Sequence, residues 1–295
     1  MKYTSILSML CLMLLSAPLL ADRGSITFRP DVKIFEPNQR ALIAWDGREE
    51  ILILSTDLRA SSPTKVLEVL PLPSRPQVKK GSVETFQRAV NLINRMNART
   101  RPVTRSTGDQ PRPKSIPAGR IVESKKIGAH DISVVEVVDP KRFVDWAQKN
   151  LAQNGATQKE IPAVLKKSVQ EYIDDGYTWF VFDTVELGSE TVTQDAIVYR
   201  FASDNLFYPL RISRTDEGET EVTLLIFTPK MLSNFPALPI EQVLLEHEPV
   251  TIGQKELQRI DTDIAELLKN TEQLKLRIWN LRGRLDSFHQ DLVAY

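Results

Sequence analysis

The chain has 295 residues, with 38 lysines and arginines against 38 aspartates and glutamates, so its overall charge selects no class of partner. Its one cysteine, Cys11, falls inside the leader described next; the rest of the chain then has no thiol, which excludes disulfides, iron–sulfur clusters, cysteine-ligated zinc and a cysteine nucleophile. A chain of this length can form one large or two small domains with a real core.

Residues 1–21 read as a cleavable secretory signal. Met1 and Lys2 precede an apolar run from Ile6 to Leu15, and Ser16-Ala17-Pro18-Leu19-Leu20-Ala21 leads into Asp22. Cleavage is expected after Ala21, with export to the periplasm or the medium. The run is shorter than the roughly 20 residues of a membrane-spanning helix, and Pro18 disrupts its continuation. No later run is long enough, so no membrane span is expected in the mature chain.

The mature chain opens with strand signals. Residues 39–45 and 49–55 flank Asp46-Gly47-Arg48, and Asp-Gly between β-prone runs predicts a hairpin. A third strand, 65–70, stops at Pro71-Leu72-Pro73. Ser82 caps a helix whose Phe86, Val90 and Ile93 recur at helical spacing up to about Asn97. Residues 99–119, with Pro102, Pro111, Pro113 and Pro117, read as a surface loop or linker.

Residues 121–126 and 132–138 predict two strands turning near Gly128. Asp139-Pro140 caps a helix with Phe143, Ala147 and Leu151 on its buried stripe, and Thr157-Gln-Lys-Glu160 is a capping box for another reaching Gly176. Residues 177–185 form a strand, and 196–201, 207–212 and 221–227 a three-strand meander ending at Pro229. That layout echoes 41–45 and 64–66, which suggests either a duplicated sheet unit or the ordinary likeness of meanders.

Several separated stretches share an order with a known family. These are Gln39-Arg-Ala-Leu-Ile-Ala-Trp-Asp-Gly-Arg, Leu70-Pro-Leu-Pro-Ser-Arg-Pro, Gly128-Ala-His-Asp-Ile-Ser-Val-Val-Glu, Tyr172-Ile-Asp-Asp-Gly-Tyr and Phe207-Tyr-Pro-Leu-Arg-Ile-Ser. Over about residues 26–227 the chain resembles the exported prokaryotic family of domain of unknown function 2330. The resemblance implies a secreted or membrane-attached protein and transfers no functional residue. This chain lacks the amino-terminal cysteine and carboxyl-terminal membrane helix of some members.

The tail carries the longest apolar repeat. Leu257, Ile260, Ile264, Leu267, Thr271, Leu274, Ile278, Leu281, Leu285, Phe288 and Leu292 alternate steps of three and four. This predicts a coiled-coil helix over 253–295, whose seam from Leu257 to Leu292 is roughly 54 Å long. Such a seam demands a partner: self-association, another helical chain, or the protein's own body. The flanking Asp261 and Asp263 against Arg277, Arg282 and Arg284 favour an antiparallel pair.

Charge is unevenly spread. Between Lys79 and Lys126 basic residues far outnumber acidic ones, whereas 171–195 is acidic without a base. Arg99, Arg101, Arg105, Arg112 and Lys114 are candidate ligands for an anionic envelope polymer; the plainer reading is a solvated run, or two territories that face each other. Nucleic acid is disfavoured, because no aromatic residue lies between Phe86 and Phe143 to stack a base.

His130, His247 and His289 are the only histidines. Glu246-His247-Glu248 lacks the second spaced histidine of a zinc helix, and no serine sits in a Gly-x-Ser-x-Gly elbow. Asp174-Asp175-Gly176 reads as a helix end, not a calcium loop. No cofactor or metal is expected, and no catalytic residue is identified.

The expected fold is therefore α+β, with antiparallel hairpin and meander sheets and packed helices over 22–250, followed by the coiled coil. The expected function is non-catalytic binding or scaffolding with oligomerisation through the tail. The alternative is an extracytoplasmic enzyme acting on an envelope polymer, which requires converging carboxylates of perturbed pKa in a concave pocket.

Overall fold

The computed structural model describes residues 23–98, 124–137, 139–158, 160–215, 219–232, 238, 243–245 and 248–295. The signal segment, the loop at 99–119 and its five anion candidates, and Glu246-His247 lie outside them.

In chain order the strands are β1 (Gly24–Thr27), β2 (Ile34–Trp45), β3 (Glu49–Ala60), β4 (Thr64–Leu72) and β5 (Gln77–Lys80). Helix α1 (Val83–Ala98) precedes β6 (Ser124–Ile127) and β7 (His130–Glu136), and α2 (Pro140–Gln153) and α3 (Ala163–Asp174) follow. Then come β8 (Trp179–Leu187), β9 (Val192–Thr193), β10 (Ile197–Ala202), β11 (Leu206–Tyr208) and β12 (Glu219–Thr228). The last part holds β13 (Val243–Leu245), β14 (Val250–Ile252), α4 (Gln254–Ile260), α5 (Thr262–Leu267), β15 (Leu274–Arg284) and β16 (Leu292–Ala294).

Many local signals operate as read. The β2–β3 hairpin turns at Gly47, whose φ of 101° needs glycine. Ser82 Oγ accepts the Glu84 N–H at the start of α1, and Asp139 accepts the Lys141 N–H at the start of α2. The capping box at 157–160 is not used: the Thr157 and Gln158 N–H groups both donate to the Phe28 carbonyl, and α3 begins only after Pro162. Pro71 is tolerated inside β4 because the pairing with β1 ends at Val69.

Among the described residues a five-stranded sheet runs β1-β4-β8-β7-β6, and a nine-stranded sheet has the main order β13-β15-β12-β2-β3-β10-β5. The layers follow from strand alternation. Phe180 and Phe182 point outward from the small sheet to Phe143 and Trp146 of α2, with the Trp146 and Phe182 ring centres 4.2 Å apart. Its inner face shares one core with Leu52, Leu54, Ile197 and Tyr199 of the large sheet. Ile51 and Ile53 face the other way, onto α1, α4 and α5. The order is helices, small sheet, large sheet, helices.

This corrects the expected fold class. The chain is sheet-rich, and the large sheet is mixed rather than antiparallel, because β12 runs parallel to β2. Neither expected meander exists. In the first, β4 leaves β3 for the small sheet; in the second, β10, β11 and β12 pair with β3 and β5, with β16, and with β15 and β2. With both units dispersed, the supposed duplication loses its basis.

The long coiled-coil helix is also absent. Asp261 ends α4 in extended backbone and caps α5 by accepting the Asp263 and Ile264 N–H groups. β15 then places Leu274 and Leu276 on the helix-covered face, and Trp279 and Leu281 on the inter-sheet face. A strand buried on both sides is apolar at both parities, so steps of three and four fit it by coincidence. Leu257, Ile260, Ile264, Leu267, Leu274, Leu281, Leu285, Phe288 and Leu292 are buried in the chain's own core, and Ile278 is packed against it. The seam proposed for self-association does not exist. No helix among the described residues is long and apolar enough to cross a membrane.

Candidate functional site

The turn after β4 has the sequence Pro73-Ser74-Arg75-Pro76, where proline at both ends limits the backbone. Ser74 Oγ donates to the Ala202 carbonyl at the end of β10 and fixes the turn as a ridge between two concavities, Pro73 lining one and Arg75 and Pro76 the other. A concavity opens on each side of it.

On one side is a groove of about 650 Å³ lined by Arg75, Gln77, Lys79, Arg200 and Asp263, among others. Arg200 pairs with Glu49 at 2.6 Å, and Lys79 with Asp263. Arg75 lies over the Trp179 ring, 5.8 Å from its centre, and no carboxylate pairs with it among the described residues. Stacking of this kind orients the planar guanidinium without consuming all its donors.

On the other side is a pocket of about 240 Å³ lined by Pro73, Asp175, Tyr177, Asp204, Asn205 and Phe207, among others. Gly176, with φ of 88°, turns the chain out of α3 and delivers Tyr177, whose ring stacks on Phe207 at 5.3 Å. The Trp45 indole donates to the Ser203 carbonyl at 2.9 Å, and Glu50 accepts the Phe207 N–H at 2.7 Å. Burial pushes the Glu50 carboxyl well above the usual carboxylate range, and the Phe207 N–H opposes this.

Behind the pocket, Asp291 anchors the terminal strand. It accepts the Tyr172 hydroxyl at 2.6 Å and the Arg211 N–H at 2.8 Å. Arg211 reaches Asp175 at 2.5 Å and lies over the Tyr172 ring. Burial raises the Asp291 pKa to about 6, although the Tyr172 and Arg211 contacts pull it down. The folded state therefore keeps a proton that the unfolded chain has already released, so stability falls as pH rises from the usual carboxylate range to about 6 and levels off above it. Asp291→Asn retains an acceptor oxygen and cannot ionise. It should remove that decline, roughly 2 kcal/mol between urea titrations at pH 4 and pH 7.

The converging carboxylates lie elsewhere. Glu68 and Asp183 are cross-strand neighbours on β4 and β8, facing the large sheet. Arg23 pairs with Glu68, lies 3.7 Å from Asp183 and reaches the Tyr199 hydroxyl at 3.4 Å; His130 Nδ1 is 2.6 Å from Asp183. All five side chains are buried. Burial raises the Glu68 pKa, with Arg23 opposing. Gly128 in the turn before His130 has a φ of 60°, which favours glycine, and a Cβ there would push the Asp195 carboxylate aside.

Of the sequence candidates, His130 is a buried partner of Asp183. Asp174 and Asp175 close α3 as read. The acidic stretch is largely paired within the chain, with Glu171, Asp175, Asp183, Glu186 and Asp195 meeting Arg214, Arg211, His130, Lys65 and Lys80; among the described residues the Lys80–Asp195 pair links it to the basic territory. Arg75 and Tyr177 stand in two of the stretches that carry the family resemblance, which assigns them no role, whereas Arg200 and Asp204 carry no motif. No cluster of three potential metal ligands occurs among the described residues.

All five stretches that carry the family resemblance build this part of the molecule or its supporting core. No curated protein matches the chain. Among solved structures, that of baculovirus P35 is similar over 90% of this chain and 97% of its own, at 8% identity and a TM-score of 0.42, which is too slight a likeness to bear on function. The family model described as "Uncharacterized protein conserved in bacteria (DUF2330)" matches residues 18–234, spanning the whole stretch of resemblance, and the chain belongs to that family.

Proposed function

We propose that this is an exported, non-catalytic binding protein that takes an anionic polymer of the cell envelope in the groove beside the Pro73–Pro76 ridge. The observation carrying this reading is the convergence of Arg75, Lys79 and Arg200 on one concavity with a single carboxylate, Asp263. Lys79 is paired with Asp263 and Arg200 with Glu49, so the groove's surplus positive charge is that of Arg75, and a surplus of one sign concentrates the opposite sign. An enzyme working through paired carboxylates needs them within reach of substrate. Glu50, Glu68 and Asp291, the carboxyl groups whose pKa burial raises most clearly, are enclosed, and none of them lines the groove.

The test uses the mature chain, residues 22–295, with tetragalacturonate and inorganic polyphosphate as probes. Both should bind with an affinity that falls as salt rises. Arg75→Glu should weaken binding by about tenfold or more, the scale of one lost charge-assisted contact. Absence of salt-dependent binding, or an affinity unchanged by the charge reversal, overturns the groove as the site. For export, protein recovered from periplasm or medium should begin at Asp22; recovery with Met1 from the cytoplasm overturns that part.

A further inference from the structure

We infer that the pocket on the far side of the ridge is a saccharide subsite, so that the ligand is a glycan bearing acidic groups, with a sugar ring in the pocket and a charged group in the groove. This rests on the proposed groove and names the chemistry of what it takes.

The pocket is small, about 240 Å³. Sites for drug-sized ligands usually measure ~300–1,000 Å³, so it suits one ring rather than a large ligand. Its walls match the two faces of a sugar. Tyr177, half-buried and stacked on Phe207, offers an aromatic surface whose negative face attracts the polarised C–H groups of a pyranose. Asp175 and Asp204 are acceptors, and Asn205 supplies donors and an acceptor, which suits a rim of hydroxyls. Asp175 is already ion-paired with Arg211. Asp204 is exposed, with no cationic partner among the described residues, so the pocket repels a bare anion.

The pocket is also firmly built. The Trp45 indole and the Glu50 carboxyl, both buried, hold Ser203 and Phe207 from below, while Asp291 and Arg211 hold the end of α3. Such support keeps the aromatic face and the hydroxyl-binding groups in fixed relation before a ligand arrives. Pro73 lines the pocket and Pro76 the groove. Three residue steps of extended chain span at most about 11 Å, so one short oligosaccharide can engage both.

The experiment measures binding of tetragalacturonate and of a short inorganic polyphosphate of matched charge to the mature chain and to two variants. Asp204→Ala changes an exposed side chain and leaves the fold intact; Tyr177→Leu removes the aromatic face, with its folding checked by thermal melting. The wild-type chain should prefer the uronate, and Asp204→Ala should weaken the uronate about tenfold or more, the scale of a lost hydrogen bond to a charged acceptor, while leaving polyphosphate unchanged or, with the repelling charge gone, bound more tightly. Tyr177→Leu should do the same. Equal affinity for the two probes, or a uronate affinity indifferent to Asp204→Ala, overturns the saccharide subsite while the groove stands. Failure of the wild-type chain to bind either probe overturns the groove, and the subsite with it.

Discussion

Deleting residues 253–295 is expected to abolish folding altogether, leaving a product with no cooperative thermal transition. β15 is an interior strand of the large sheet, paired with β12 from Glu219↔Arg284 to Thr228↔Lys275 and with β13 and β14 on its other edge. Its removal strips the sheet and uncovers the helical layer with Leu257, Ile260 and Ile264. Leu274, Leu276, Leu281, Leu285, Phe288 and Leu292 are fully buried. At about 1.5–3 kcal/mol for each buried side chain, the loss reaches or exceeds the ~5–15 kcal/mol net stability of a typical domain. A soluble fragment 22–252 that melts cooperatively would show that the tail is an appendage.

The second large effect concerns Arg23. Replacing it with alanine should destabilise the protein by about 3–5 kcal/mol, because Glu68 and Asp183 then remain enclosed without their common cation. A double-mutant cycle separates this from lost packing. Arg23→Met alone keeps most of the packing, and adding Glu68→Gln to it should recover much of the stability, since the site then holds one unpaired charge fewer than in Arg23→Met. Acid should partly rescue the single variant as well. Burial already raises the Glu68 pKa, so the folded protein binds the proton more tightly than the unfolded chain, and lowering the pH favours folding. If denaturant titration gives a loss below about 1 kcal/mol, the scale of an exposed ion pair, water reaches the cluster.

Both effects expose the difference between local and non-local information. The hairpin at Gly47 and the caps at Ser82 and Asp139 depend on groups a few residues apart, and each forms as the residues indicate. The capping box at 157–160 is local too, yet the Phe28 carbonyl, distant in sequence, captures its N–H groups. The groove and pocket were illegible because their residues arrive from separate elements: Arg75 follows β4, Tyr177 follows α3, Arg200 belongs to β10 and Asp204 follows it. No spacing encodes such a meeting.

The amino-acid sequence by itself determined family membership, most local turns and caps, and the need to bury the tail's apolar residues. Tertiary structure alone decided where that burial happens. An apolar repeat states that water must be excluded and leaves open which surface excludes it. In this chain the answer came from the strand partners of β15, and the same long-range pairing gathered three cations and an aromatic ring around one proline-bracketed turn.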